Sequence, residues 1–274
     1  MFALLKKELI HFFSSAIGYV FISFFLGVSG LFLWVLHGEF NITDSGFASL
    51  APFFELAPWV FLLLIPAACM QSFSDERKQG TLELLLTKPI STFKLVLGKY
   101  LGVCCIIFLA LLPTLIYVVA LYNLASPVGE IDYGSITGSY IALSLLGATY
   151  AAIGIFASSL TPNQTVALLT SLLLCFLAYF GIANIGEALN INNLETLGID
   201  FHYNRISEGV IDSRDIIYFI SFCGLFLAGT YFVFRKQNQP INYKKIGFVI
   251  AGFIILNFLN TYFYQRFDLS LIHI

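Results

Sequence analysis

Four histidines, five cysteines and one Gly-Lys pair are the residues of this 274-residue chain whose chemistry could be catalytic, and their spacing speaks against each. His11, His37, His202 and His273 are scattered, without a second His or a carboxylate at a metal-ligand spacing. Gly98-Lys99 has the end of a phosphate-binding loop. Such a loop needs Gly at position 93 and Ser or Thr at position 100, where this chain has Phe93 and Tyr100. ATP is therefore not held by that motif. Cys69, Cys104, Cys105, Cys175 and Cys223 all fall inside apolar runs, where they act as small apolar side chains. No Cys lies in a segment between runs, so no disulfide framework is expected. The middles of the apolar runs hold no Asp, Glu, Lys or Arg on which a proton or sodium relay could be built. Glu55, just before Pro58 and Trp59, reads as a solvated boundary residue. If this chain moves a cargo, the energy comes from another polypeptide.

The polar chemistry is concentrated in one cassette, SDERKQGTLELLLTKPISTFKLVLGKY, residues 74–100. It reads as two short helices with a break between them. Asp75 and Glu76 suit a helix start, where the dipole favours negative charge. Gly80 permits a bend, Thr81 can cap a helix over Leu82–Thr87, and Lys88-Pro89 stops it. Ser91 caps the next helix, which runs through Lys94 and Lys99 into an apolar run. Leu82, Leu85 and Leu86 share one face of the short helix, while Glu83 and Thr87 share another. Such a helix either lies on a bilayer or enters a groove on a partner; periodicity leaves both open.

What must position this cassette is a bilayer. Apolar residues make up 58% of the chain and charged residues 11%, with a mean hydropathy of +0.86; a soluble domain carries about 25% charge. No basic patch with interleaved aromatics points to nucleic acid. The runs 12–38, 56–74, 100–129, 133–186, 216–234 and 246–265 hold no Asp, Glu, Lys or Arg, and about 20 apolar residues cross the hydrocarbon core. The fourth run is too long for one crossing and is broken at Thr161-Pro162-Asn163-Gln164. Seven helical spans are expected, near 17–36, 54–72, 100–122, 139–160, 165–184, 215–234 and 246–264. The first lacks a small-residue cleavage site and is too long for a signal-peptide core.

With the N-terminus in the cytoplasm, the inner segments hold Lys6, Lys7, Arg77, Lys78, Lys88, Lys94, Lys99, Arg235, Lys236, Lys244 and Lys245. Outside remain Arg205, Arg214 and Arg266. This is a strong positive-inside bias, and most acids lie on the other side.

The string DERKQGTLELLLTKPIS, followed by LGK, resembles the loop between spans two and three of type 2 ABC exporter permeases. The matching positions are Asp75, Glu76, Arg77, Gly80, Thr81, Leu82, Glu83, Leu85, Pro89, Ser91, Gly98 and Lys99. A second string, IGIFASSLTPNQ at Ile153–Gln164, is similar to the end of span four in that family. With the six-span layout, the resemblance covers about residues 1–236. Within the family, MFALLKKELIHFF and SFSDERKQGTLE are most like the permeases associated with bacterial gliding motility. The resemblance implies an inner-membrane permease that binds no cofactor itself and works as a dimer or pseudo-dimer. It implies a separate ABC ATP-binding subunit that carries ATP and Mg, and a companion membrane subunit with an outer-side domain. It also implies that Asp75, Glu76, Arg77, Gly80, Thr81, Leu82, Glu83, Leu85 and Leu86 dock the ATPase, with the leucines in its groove and the charges at the rim. The family pattern ends after six spans; here 237–274 adds a segment that resembles the start of the companion subunit. A carrier independent of ATP, or a membrane anchor for a surface machine, is the alternative reading.

Four further features stand out in the sequence. Phe2, Leu5, Leu9, Phe12 and Phe13 form a helical stripe with Lys7 and His11 opposite, as for a helix in the membrane plane; Lys6 at its edge snorkels. The resemblance implies the same element over 1–14. Gly147, Ala151, Gly154 and Ser158 make a smooth packing face, either within the chain or beside a dimer seam. Pro66 and Pro113 would kink spans two and three. The segment 185–214, with Glu187, Glu195, Asp200, Glu208 and Asp212, reads as a solvated connector, while the family implies short re-entrant helices there.

Overall fold

The computed structural model describes residues 2–82, 91–181, 184, 197–236, 251–253, 255, 257 and 270–273. The fold is an all-α polytopic membrane bundle. Helix α1 (Phe2–Ser14) leads into α2 (Ala16–Trp34), followed by the short α3 (Ile42–Ser45). Helices α4 (Ala51–Cys69) and α5 (Gln71–Lys78) run on as one span. Span three is α6 (Thr92–Leu111) and α7 (Leu115–Leu124), joined by a 3₁₀ turn at Leu112–Thr114. Helix α8 (Tyr133–Leu160) is the fourth span; α9 (Gln164–Phe176) with a π turn at Leu177–Gly181 is the fifth. Helix α10 (Ile199–Ser207) and strand β1 (Val210–Asp212) precede the sixth span, α11 (Ser213–Lys236). The only β pairing among the described residues joins β1 to β2 (Ser270–His273), antiparallel.

Six helices are long and apolar enough to cross a membrane among the described residues, and each falls on an expected span. The seventh expected span, 246–264, lies largely outside the described residues. The break at 161–163 is where the sequence puts it. Asn163 accepts from Thr165 N at 3.0 Å, so its carboxamide caps the fifth span. Pro113 sits in the 3₁₀ turn, where its missing N–H interrupts span three; Pro58 and Pro66 lie inside α4.

Helix α8 is the hub, packed against α4, α5, α6, α9, α10 and α11. Lipid tails supply no hydrophobic drive between helices, so close approach and hydrogen bonds hold such a bundle. The packing face of α8 serves this purpose inside the chain. A Cβ on Gly147 would lie 2.9 Å from Ile107, and one on Gly154 would lie 2.6 Å from Cys69 Cβ. Phe25, Phe53 and Phe61 from α2 and α4 are fully buried, with the Phe25–Phe61 rings 4.9 Å apart. Hydroxyl pairs tie distant spans: Ser29 to Tyr117 at 3.3 Å and Thr114 to Tyr140 at 3.1 Å.

Candidate functional site

The first half of the cassette is the end of a span. Helix α5 follows α4 through Met70 in helical geometry, so Asp75 and Glu76 fall in mid-helix and not in a first turn, as the sequence alone suggests. The helix ends at the glycine read as permitting a bend: Gly80 has φ +68°, in the left-handed region that favours glycine. Gln79 N donates to Asp75 O at 2.9 Å and Gly80 N to Arg77 O at 3.3 Å. Thr81 is itself helical, and its hydroxyl donates back to Glu76 O at 3.2 Å. It therefore helps to close α5; the helix over Leu82–Thr87 that it was expected to cap lies, past Leu82, outside the described residues. Leu82 is 2% exposed, packed into the core, where the docking reading has it facing a partner. Glu83, Leu85 and Leu86 lie outside the described residues. Ser91 caps α6 as expected, accepting from Lys94 N at 3.4 Å.

The centre of the site is Lys99. It lies on α6 and is 4% exposed. Its ammonium donates to Glu8 Oε1 on α1 at 3.2 Å and to Ser72 O on α5 at 2.6 Å, and it pairs with Glu76 Oε1 on α5 at 2.9 Å. An ammonium has three donors, and these three acceptors match them. The Phe73 ring, 5.0 Å away, adds a cation–π contact. Burying a charge is unfavourable unless it is paired and hydrogen-bonded, which explains why acceptors converge from two other helices. Gly98 and Gly102 let α1 come this close. A Cβ on Gly98 would lie 3.1 Å from Leu4 Cβ, and one on Gly102 would lie 2.9 Å from Glu8 Cβ.

The sequence reading missed Glu8. Leu4, Glu8 and Phe12 recur every fourth residue and share the face of α1 that the structure buries, with Phe12 6% exposed. An acid on an otherwise apolar face is the signal that could have found it. Lys6, Lys7 and His11 are exposed, as the sequence suggests.

The two strings that carry the family resemblance meet in space. Phe73 N donates to Ser158 Oγ at 2.8 Å, and Ser74 Oγ donates to Ser158 O at 3.2 Å. Arg77 Nη1 donates to Ser159 O at 2.7 Å, and the Gln164 amide donates to Asp75 Oδ1. The last carbonyls of α8 have no partner within their own helix; Ser74 and Arg77 satisfy two of them. Asp75, Glu76 and Arg77 are thus fasteners within the chain, joining α5 to α6, α8 and α9.

The opposite end of the bundle has its own ionic cluster. Asp212, 1% exposed, accepts from Arg205 at 3.1 Å and from Arg214 Nη2 at 2.7 Å. Burial raises the Asp212 carboxyl, but hydrogen bonds and charge from Arg214, with the charge of Arg205, outweigh it and hold the group below the usual carboxylate range. Asp215, fully buried, lies 2.5 Å from His202 Nδ1 and 3.5 Å from Arg205. Tyr203 donates to Phe54 O at 2.6 Å, fixing α10 to α4. The segment 199–212 is therefore a packed helix and strand, where a solvated connector was expected. Glu187 and Glu195 lie outside the described residues. Glu55 is exposed, as read from the sequence.

A family model described as ABC-2 family transporter protein matches residues 36–237. No curated protein sequence matches the chain. The matched segment holds both family-like strings, five of the six spans and the α5–α8 junction. The chain belongs to the ABC-2 family of transporter proteins, as a multi-pass permease subunit of an ABC transporter with an ATP-binding partner.

Proposed function

We propose that this permease takes up force from the ATP-binding subunit at its cassette, and that the Lys99 cluster passes it to the spans. In this reading the N-terminus and cassette are cytoplasmic, and the membrane is the inner membrane of a bacterium. The permease pairs with a second copy or a homologous subunit and with a companion membrane subunit. It serves a gliding-motility apparatus, by export or by a conformational change across the membrane. ATP and Mg stay on the partner.

One observation carries the coupling: Lys99 binds acceptors from α1 and α5 while standing on α6. Displacement of the cassette therefore pulls on the ends of spans two and three together, and on α1. The contact surface centres on the segment after Gly80, with Leu85 and Leu86 as its apolar part and Glu83 at its rim. Leu82, buried in the chain, anchors this segment. Ends fastened in this way favour two discrete packings over continuous bending.

Copurification of the ATP-binding subunit tests this. Leu85→Asp with Glu83→Lys is expected to abolish it while membrane insertion is retained. Unchanged copurification would rule out docking at the cassette. Gliding is tested separately: deletion of the gene is expected to stop surface movement, and normal movement would remove that assignment.

A further inference from the structure

At the end of the bundle opposite the cassette, a cavity of about 500 Å³ opens between α4, α8, α10 and the π turn after α9. This is within the usual size of small-molecule sites. One wall is aromatic: the Trp59 and Phe180 rings lie 4.6 Å apart at 30°, and Tyr179 meets Phe180 edge-on at 4.6 Å. Glu55 and Glu208 also line it. No Lys, Arg or His is among its described lining residues. The nearby Arg205 guanidinium is paired with Asp212 and Asp215.

The lining is also poor in hydrogen-bond donors. Ser135 and Ser139 both give their hydroxyl protons to Ser207 O. Ser207 donates to Asn204 O and Tyr203 to Phe54 O. The Asn204 amide, the Trp59 indole and the Tyr179 hydroxyl remain as donors, against two carboxylates and several aromatic faces. The surrounding field has the same sign. Among the described residues, every acid except Glu8, Asp75 and Glu76 lies at this end: Glu39, Asp44, Glu55, Glu130, Asp132, Asp200, Glu208, Asp212 and Asp215. Such a field draws cations into a cleft.

We infer that this cavity is a binding site for an organic cation, an amine or quaternary ammonium with an apolar body. The aromatic wall takes the apolar part and faces the charge, and Glu55 and Glu208 balance it. Anions meet two carboxylates and no cation. That the bound cation is the transported cargo rests on the permease reading; the binding itself does not.

The test uses the full chain in nanodiscs of zwitterionic lipid, with Trp34→Phe so that Trp59, the other tryptophan of the chain, is the sole tryptophan signal. Benzyltrimethylammonium is expected to change Trp59 fluorescence saturably, and benzenesulfonate, with the same ring and opposite charge, to leave it unchanged. Glu55→Gln with Glu208→Gln is expected to weaken the ammonium at least tenfold. Equal responses to both probes, no saturable response to the ammonium, or full affinity in a folded double variant would each overturn the site. The assay contains no ATPase, so its failure is distinct from failed copurification, which bears on the permease coupling alone.

Discussion

The two ends of the bundle both bury charge, but they connect different things. At the cassette end, Lys99 reaches Glu8, 91 positions away in sequence, and Glu76 on the neighbouring span. Asp75 and Arg77 reach Gln164 and Ser159, more than 80 positions away. At the opposite end the ion pairs are local: Arg205 and Arg214 meet Asp212 at separations of 7 and 2, and His202 meets Asp215 at 13. The first cluster joins helices that are far apart in the sequence, so it can pass a displacement between them. The second folds one helix and one strand into a cap. Long-range pairing marks the end where force is proposed to enter, and local pairing marks the end that is capped.

The largest expected effect breaks the long-range cluster. Lys99→Met leaves Glu8 and Glu76 facing each other without a cation, and losing one partner of a buried pair costs about 3–5 kcal/mol. Thermal unfolding of the purified protein should show a large fall in Tm. Adding Glu8→Gln and Glu76→Gln should recover most of it; if the triple variant is as unstable as the single one, the pairing is not what Lys99 contributes. Next comes Gly154→Val, which places side-chain atoms against Cys69, whose Cβ is 2.6 Å from the site of a new Cβ. Overpacking of this kind costs about 1–3 kcal/mol, seen as a smaller fall in Tm; no change would place the packing face of α8 outside the chain's own core.

The cap should respond to acid instead. Its Asp212 carboxyl is depressed in the folded state, so its contribution is full above the unfolded value of about 3.9. That contribution fades as pH falls through the lower folded value. Proteolysis of α10 should accelerate only in that acid window, and Asp212→Asn should remove the dependence. The smallest effect is at Thr81→Val, which loses one hydrogen bond to Glu76 O, worth about 0.5–1.5 kcal/mol. A change outside that range in chemical denaturation would show that Thr81 does more than close α5.

The spans were legible because run length and charge exclusion are local properties, and the bend at Gly80, the break at 161–164 and the cap at Ser91 follow from residue type alone. The buried charges were not. Asp75, Glu76 and Arg77 read as rim charges of a docking surface, and no local period reveals that Lys99 and Ser159 fold against them. Glu8 was overlooked for the same reason, although its place between Leu4 and Phe12 carried a clue. Helix α10 was readable in principle. Ile199, Tyr203 and Ile206 keep helical spacing and are all buried, but the surrounding Asn and acids gave the segment the look of a connector.

The proposed coupling requires that the ATP-binding subunit meet this chain at the cassette. Photocrosslinking from a diazirine placed at position 85, with a matched probe at Phe47 on the opposite end, tests it most directly in native membranes. An adduct with the ATP-binding subunit is expected from position 85 and none from position 47. An adduct from position 47 with none from position 85 would contradict it.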